Sequence, residues 1–251
     1  MDREAQKDLA ALGFSMLVVG LFIGAMLGGV LVSIEQSGSA GNLDQRYIAA
    51  IDNSMVGKLG NASSGLNPVT QDNPKLSWKG EGDNASVLVV IFTRFNSSYP
   101  VGQNVTTWWD FTWVTLAPDV KDFFATHSAV SVNKTVRLAQ LLGLPPNTKN
   151  TYLVEVWVKP KDLFRPSGDP EINDTTASMF LNPSANATYR TWFTGNVISS
   201  YYPKAFPWTR LGYTYDWGNG GGTQGLSEYV IWKSSIVQVK SVSTVDQYLA
   251  G

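Results

Sequence analysis

The sequence contains no cysteine and only one histidine, His127, among its 251 residues. The absence of cysteine excludes disulfide bonds, thiolate metal sites and cysteine nucleophiles, and one histidine leaves little basis for a zinc site. Charged residues are scarce as well, at 16% of the chain, against about 25% in ordinary soluble domains. The net charge of −1 provides no basic excess, so we expect no nucleic-acid partner.

The catalytic signatures of several enzyme classes are also missing. No GxSxG elbow, HExxH pair or P-loop is present, and the glycine run 220–222 does not lead into a helical pattern. Nothing in the sequence therefore requires an enzyme, and we expect no cofactor apart from one calcium alternative considered below.

The longest apolar run extends from Leu9 to Ile34 and contains no charged residue. As a helix, its 26 residues would extend about 39 Å, which exceeds the roughly 30 Å hydrocarbon core of a bilayer. A cleaved signal peptide has an apolar stretch of only about 7–15 residues. We therefore predict a retained transmembrane helix over 9–34, preceded by a short cytoplasmic tail over 1–8.

Glycines are unusually frequent in this run, although each costs about 1 kcal/mol relative to alanine in a helix in water. Gly20, Gly24 and Gly28 are spaced by four and form one stripe on a helix, with Ala25 and Gly29 beside it. In lipid, small residues let helix backbones approach closely. The stripe predicts docking against another membrane subunit or a second copy of this chain; the alternative is the general abundance of glycine in membrane helices.

Seven Asn-X-Ser/Thr sequons follow the apolar run, at Asn61, Asn84, Asn96, Asn104, Asn133, Asn173 and Asn186. They favour a glycosylated domain outside the cytoplasm, hence a single-pass cell-membrane protein whose C-terminal domain is extracytoplasmic. We expect occupancy at Asn61, Asn96, Asn104 and Asn186, which have loop-like or strand-edge contexts, if the source organism glycosylates. Accidental matches on a surface rich in Asn, Ser and Thr are the alternative.

Hydrophobic periodicity predicts the rest of the organisation. A polar connector over 35–80 includes a short helix over 43–59, and a β-rich domain follows over 81–251. We predict strands at 86–93, 105–116, 151–159, 187–194, 210–216 and 228–242, and two short helices at 118–127 and 134–143. The predicted fold class is mainly β, an antiparallel sandwich or jelly roll with two small helices behind a transmembrane helix.

One acidic turn suggests a metal site. Asp169, Glu171, Asn173 and Asp174 are close together in the sequence, and Ca²⁺ is bound by several oxygen ligands of this kind. The EF-hand pattern fails, because Phe180 stands where the bidentate glutamate belongs. The alternative is a solvated turn in which Asp and Asn cap backbone groups.

The segment 200–217 contains seven aromatic residues: Tyr201, Tyr202, Phe206, Trp208, Tyr213, Tyr215 and Trp217. We predict that it packs against protein, as core or subunit interface, although such rings also form sugar-binding platforms. Arg165 and Arg210 lie among apolar residues, and we expect buried ion pairs with Asp169, Glu171, Asp216 or Glu228.

Four stretches within about residues 136–240 carry a resemblance: RLAQLLGLPP, VEVWVKPKDLFRPSGDPEIND, PWTRLGYTYDWGNGGG and GLSEYVI. They resemble an uncharacterised extracytoplasmic domain family of bacterial proteins, which implies no particular activity or ligand. The overall plan is similar to that of archaeal pilins and pilus or archaellum accessory proteins. The prepilin signal departs from its pattern, because Gly13-Phe14 is not preceded by a basic residue.

These features together predict a structural or accessory subunit of a membrane-bound or cell-surface assembly. One alternative is a pilin-like filament subunit whose glycine stripe packs in a filament core. Another is a membrane-anchored domain that binds or cleaves carbohydrate with the 200–217 aromatics and nearby carboxylates.

Overall fold

The computed structural model describes residues 40–57, 59–127, 133–202, 204–218 and 223–251. By its internal contacts the chain divides after Gln45, and the second unit is Arg46–Gly251. The predicted tail, the transmembrane segment 9–34 and the glycine stripe at Gly20, Gly24, Ala25, Gly28 and Gly29 lie outside the described residues. Within the described ranges, no helix is long and apolar enough to cross a membrane.

The fold is mainly β, with an antiparallel sheet and a few helices, as predicted. The strands are β1 (Trp78–Lys79), β2 (Ser86–Thr93), β3 (Asn104–Thr106), β4 (Thr112–Leu116), β5 (Tyr152–Val158), β6 (Leu163–Phe164), β7 (Tyr213–Tyr215), β8 (Gln224–Ser227), β9 (Tyr229–Ile231) and β10 (Ile236–Thr244). The main sheet has the order β3-β10-β5-β2-β4-β9-β6, with β1 also paired to β2, and β7 and β8 form a separate pair.

Five α-helices accompany the strands in the described residues: α1 (Ala40–Met55), α2 (Ala117–Thr126), α3 (Lys134–Leu141), α4 (Ala187–Tyr201) and α5 (Val245–Ala250). The predictions for α2 and α3 are confirmed. The predicted connector helix corresponds to α1, which begins and ends a few residues earlier than expected. Its buried face contains Tyr47, Ala50 and Ile51, whereas Ile48 is 42% exposed.

Strand β2 is central to the core and is buried on both faces, as its continuous apolar sequence predicts. Val87, Val89 and Ile91 join a cluster with side chains of β4, β5, β9 and β10. Leu88 and Val90 join a second cluster on the other face, to which helices α2, α3 and α5 contribute. Burial of one such side chain stabilises the fold by about 1.5–3 kcal/mol.

Local sequence explains the ends of α3. Asn133 begins the helix, because its side-chain oxygen accepts hydrogen bonds from the backbone N–H groups of Thr135 and Val136. Gly143 follows the C-terminal end with φ +67°, and a Cβ there would lie 3.4 Å from the carbonyl oxygen of Tyr215. Glycine is favoured there both by the left-handed backbone and by this close approach.

The strand prediction for 187–194 is wrong, because these residues lie in α4. Threonine, valine and aromatic residues favour strands, but Tyr189, Trp192 and Phe193 have the i, i+3, i+4 spacing of a helix and join one aromatic cluster. Asn186 caps the first turn, since its side-chain oxygen accepts from Thr188 N at 2.7 Å. Tertiary packing and the cap therefore override the residue propensities.

The predicted strand 105–116 is divided into β3 and β4. Between them, Thr107 is fully buried, and its hydroxyl contacts the carbonyl oxygens of Trp232 at 2.9 Å and Ser235 at 3.3 Å. The chain therefore leaves the ladder at Thr107, and residues 108–111 become available for another role.

Candidate functional site

A cleft of about 740 Å³ opens beside the main sheet. It is lined by the second half of β2, by residues 108–115 up to β4, by the turn 142–144, by the end of α4, by residues 206–209 and by β7. Because aromatic rings supply much of its surface, we call it the aromatic cleft. Its volume lies within the range of about 300–1,000 Å³ that is usual for small-molecule sites.

The inner wall of the aromatic cleft is held by ring contacts. Trp208 is 4% exposed and meets Trp113 edge-to-face, with ring centroids 6.1 Å apart. On another side Trp208 contacts Phe193 at 5.1 Å, and its indole N–H donates to the Pro166 carbonyl at 3.2 Å. Such contacts fix the ring orientation, so this wall is preformed.

The rim, in contrast, presents rings to solvent. Trp108 is 69% exposed, Phe95 56%, Phe206 45% and Trp109 36%, and all four line the cleft. Trp109 is supported from behind by the buried Tyr99, with centroids 5.7 Å apart. Several exposed aromatic side chains around one cleft are typical of an interaction site.

Three buried polar atoms in the lining have no hydrogen-bond partner among the described residues. They are Oγ1 of Thr112, Nδ2 of Asn196 and Oε2 of Glu228. An unpaired buried donor or acceptor costs about 1–3 kcal/mol, so native folds rarely leave several together. All three residues line the cleft, although these particular atoms have almost no solvent-accessible surface.

The carboxyl of Glu228 is protonated at neutral pH. Burial raises its pKa from 4.5 to about 8, because the charged form loses its hydration and gains no compensating cation. Glu228 as a residue keeps some accessible surface, but its Oε2 keeps almost none. A neutral carboxylic acid in an apolar wall can donate a hydrogen bond as well as accept one.

The buried ion pairs differ from those predicted. Arg165 pairs with Asp174, not with Asp169 or Glu171. Asp216 pairs with Arg137, whose Nη1 lies 2.8 Å from Oδ1.

Arg210 donates instead to backbone carbonyls at the end of α1, at 2.9 Å to Met55 O and 3.3 Å to Ser54 O. No described cation pairs with Glu228 within 4 Å. The prediction of an ion pair for Glu228 is therefore wrong. In the sequence, Glu228 is recognisable as unusual because it is the single acid in the apolar run GLSEYVI.

The acidic turn does not assemble a metal site. The Asp174 carboxylate accepts from Arg165 and Thr176, which together lower its pKa. Glu171 and Asn173 are exposed and Asp169 is half-buried. Across the described ranges, no group of three or more acidic, histidine or cysteine side chains is placed to hold a metal ion. The four residues of the calcium hypothesis, Asp169, Glu171, Asn173 and Asp174, therefore do not form a set of metal ligands in the structure.

The four favoured sequons lie at or near the surface. Asn61, Asn104 and Asn186 are exposed, and Asn96 is half-buried in a short turn. The helix cap at Asn186 uses only the side-chain oxygen, so the nitrogen that would carry a glycan remains available. Occupancy of these sites stays a prediction.

The aromatic segment is mainly core, as predicted, since Trp208 and Trp217 are each 4% exposed. Trp217 donates through its ring nitrogen to the Leu144 carbonyl at 2.9 Å. The segment also contributes Phe206 and β7 to the aromatic cleft, where they meet residues 108–115. The sequence did not predict that meeting, because the two stretches are about a hundred residues apart.

Comparison of the chain with protein-family models, curated proteins and solved structures found no match. The resemblance to a bacterial extracytoplasmic domain family thus stays a prediction.

Proposed function

We propose that this protein is a membrane-anchored accessory subunit whose extracytoplasmic domain binds a small organic ligand in the aromatic cleft. The observation that carries the proposal is that three residues with a buried, unpartnered polar atom all line one ring-rich cavity. Apolar pockets with a few convergent polar groups are the usual form of ligand sites.

The cleft chemistry favours one ligand class. Rings on the inner wall and at the rim suit a flat, mostly apolar body. The protonated Glu228 and the Asn196 amide suit a neutral hydrogen-bonding edge, such as a carbonyl or hydroxyl, because an anion would raise the Glu228 pKa further. The ligand we propose is therefore a neutral, mainly apolar molecule that contains at least one hydrogen-bond acceptor.

A carbohydrate is the second candidate, since exposed Trp108 and Trp109 could stack on a sugar face. The lining argues against it, because the unpartnered polar atoms are few compared with the hydroxyls of a sugar. A pilin-like filament subunit is a further alternative that shares the glycine stripe but needs no ligand. For the domain we propose a sandwich-like layering, supported by one core cluster that spans strands from β10 to β6.

Binding of N-phenyl-1-naphthylamine, a neutral probe that fluoresces in apolar surroundings, tests the ligand proposal. We expect one saturable site at pH 7. Ser199→Trp on the exposed surface of α4 would place a ring in the cleft and weaken binding by about tenfold or more. Thr194→Trp is the matched control, because Thr194 is exposed on the same helix and is not part of the lining.

Equal binding by the two variants and the unaltered protein would place the probe outside the cleft and overturn the proposal. Saturable displacement of the probe by neutral oligosaccharides, lost in Ser199→Trp alone, would transfer the site to the carbohydrate candidate.

The anchoring part of the proposal depends on the glycine stripe and has its own test. Gly24→Leu leaves the segment suited to lipid, since leucine inserts favourably, but its side chain would separate the stripe from a partner helix. We expect membrane insertion to be retained and co-purifying subunits to be lost. Unchanged complex size in detergent would remove the docking role while leaving the ligand proposal intact.

A further inference from the structure

A second concavity, of about 770 Å³, lies at another part of the main sheet and is distinct from the aromatic cleft. Strand register assembles its floor. Gln238 of β10 pairs with Trp157 of β5, and Trp157 pairs in turn with Leu88 of β2. Ser86 lies two residues before Leu88 on β2 and pairs with Lys79 of β1. Because side chains two apart in a strand share a face, these residues all face the same side. We call this surface the basic concavity.

Its charge is unbalanced. Four lysines line it, Lys79, Lys159, Lys161 and Lys233, against one acid, Asp162. None of the four has a carboxylate within 4 Å among the described residues. The whole chain has a net charge of −1, so this local excess is not a reflection of composition. Unneutralised lysines around a depression create a positive potential that attracts anions.

Two indole rings belong to the same lining. Trp157 and Trp232 both line the basic concavity and are half-buried. Trp232 is fixed from below by Phe164, with ring centroids 4.4 Å apart. The amide side chains of Asn84, Asn104 and Gln238 complete the polar part of the lining. Rings, amides and cations together match a ligand with apolar faces, hydroxyl groups and negative charges.

We propose that the basic concavity binds an acidic carbohydrate chain, one whose sugars carry carboxylate or sulfate groups. Lysines would contact the anionic groups, the indoles would pack on sugar ring faces, and the amides would bind hydroxyls. A flat bilayer of anionic lipid would touch only the rim of a concave surface, whereas a flexible chain can lie along its floor.

Two sequon residues, Asn84 and Asn104, belong to the same lining. A glycan attached to either one would lie over the basic concavity. The binding experiment therefore uses the unaltered protein and also an Asn84→Gln/Asn104→Gln form, in which neither position can carry a glycan.

The probe is tetragalacturonate, measured by isothermal titration calorimetry, with maltotetraose as the neutral chain of equal length. Lys159→Gln/Lys233→Gln removes two charges from the basic concavity. Lys75→Gln/Lys149→Gln removes the same two charges from exposed positions outside it. We expect tetragalacturonate to bind and maltotetraose not to bind. We expect the first pair of substitutions to weaken binding by about tenfold and the second to leave it within about twofold.

Salt weakens contacts between exposed charges, so affinity should decrease as ionic strength rises. Binding only after Asn84→Gln/Asn104→Gln would support the site and place the chain's own glycan over it. Equal loss in the two lysine pairs, or no binding in either form of the protein, would overturn the proposal. Binding to phosphatidylglycerol vesicles but not to tetragalacturonate would also overturn it, in favour of a lipid surface.

Discussion

Asp216 and Glu228 are both buried acids, twelve residues apart in the sequence, and they are treated in opposite ways. Asp216 meets Arg137 in two parallel contacts, at 2.8 Å and 2.5 Å, and the Arg137 guanidinium in turn lies over the Phe123 ring at 4.7 Å. Glu228 has no cation partner among the described residues, and its Oε2 has no hydrogen bond. Asp216 is therefore paired within the protein, whereas Glu228 has no counterion among the described residues.

The difference separates a structural site from a candidate binding site. A buried charge without its counterion is costly, so Arg137 and Asp216 serve to hold α3 against the β7–β8 region. A buried acid can instead remain neutral by keeping its proton, as Glu228 does, and its hydrogen-bonding capacity then remains unused. Both the ion pair and the neutral acid occur at buried positions, but only the neutral acid keeps a hydrogen-bonding group that the protein does not use.

The largest predicted effect comes from breaking the paired site. Arg137→Met leaves Asp216 buried without its cation and should lower the free energy of unfolding by about 3–5 kcal/mol. Urea denaturation measures this, with Arg190→Met as the control because Arg190 is exposed on α4. A loss of under about 1 kcal/mol would mean that Asp216 needs no counterion, and the contrast with Glu228 would lose its basis.

A smaller, pH-dependent effect is predicted at the open site. The folded-state pKa of Glu228 is raised from 4.5 to about 8, so the unfolded chain loses this proton first as the pH increases. The contribution of Glu228 is therefore most favourable below pH 4.5 and decreases between pH 4.5 and about 8. Glu228→Gln removes the decrease and should stabilise the protein by about 2–4 kcal/mol at pH 8.5 and little at pH 4.

Unfolding curves of the two proteins across this pH range test the prediction. Asp119, whose pKa burial raises to about 6, is present in both proteins and cancels in the difference. Parallel pH profiles would show that Glu228 is ionised in the fold, and the neutral hydrogen-bond donor would then be absent from the cleft.

The smallest predicted effect concerns the unpaired hydroxyl of Thr112 in the aromatic cleft. Thr112→Val replaces an unpaired buried hydroxyl by a methyl group and should stabilise the protein by about 1 kcal/mol. The same change should weaken the binding of a ligand that uses this hydroxyl, by about fivefold. Stability and binding therefore move in opposite directions at this residue.

Thr209→Val is the matched substitution, because the Thr209 hydroxyl is satisfied by Tyr213 O at 2.6 Å and Leu211 N at 3.1 Å. We expect Thr209→Val to lower the free energy of unfolding by about 1 kcal/mol. A loss of stability at Thr112 equal to that at Thr209 would mean that the protein already satisfies the Thr112 hydroxyl.

Sequence patterns predicted the local elements well and the site poorly. The strands β2 and β5 and the helices α2 and α3 depend on the pattern of neighbouring residues, and these predictions are confirmed. Helix α4 was mistaken for a strand because its aromatic spacing acquires meaning only against Trp208 and Trp113. Local propensity could not indicate that contact.

The cleft and the ion pairs escaped prediction for a related reason. Arg137 and Asp216 are 79 residues apart in the sequence, and the cleft lining joins residues 108–115 to 206–209. Both therefore depend on contacts between distant stretches of the chain. The sequence indicated which residues were chemically unusual, such as Glu228 in an apolar run. It could not indicate which of them would find a partner.

Native mass spectrometry of the protein purified in mild detergent from its own organism tests whether the aromatic cleft holds a ligand. We expect one small molecule bound per chain, lost in Ser199→Trp and retained in Thr194→Trp. A molecule retained equally by both variants, or chains that carry no bound molecule in any form, would contradict the assignment of the aromatic cleft as a ligand site.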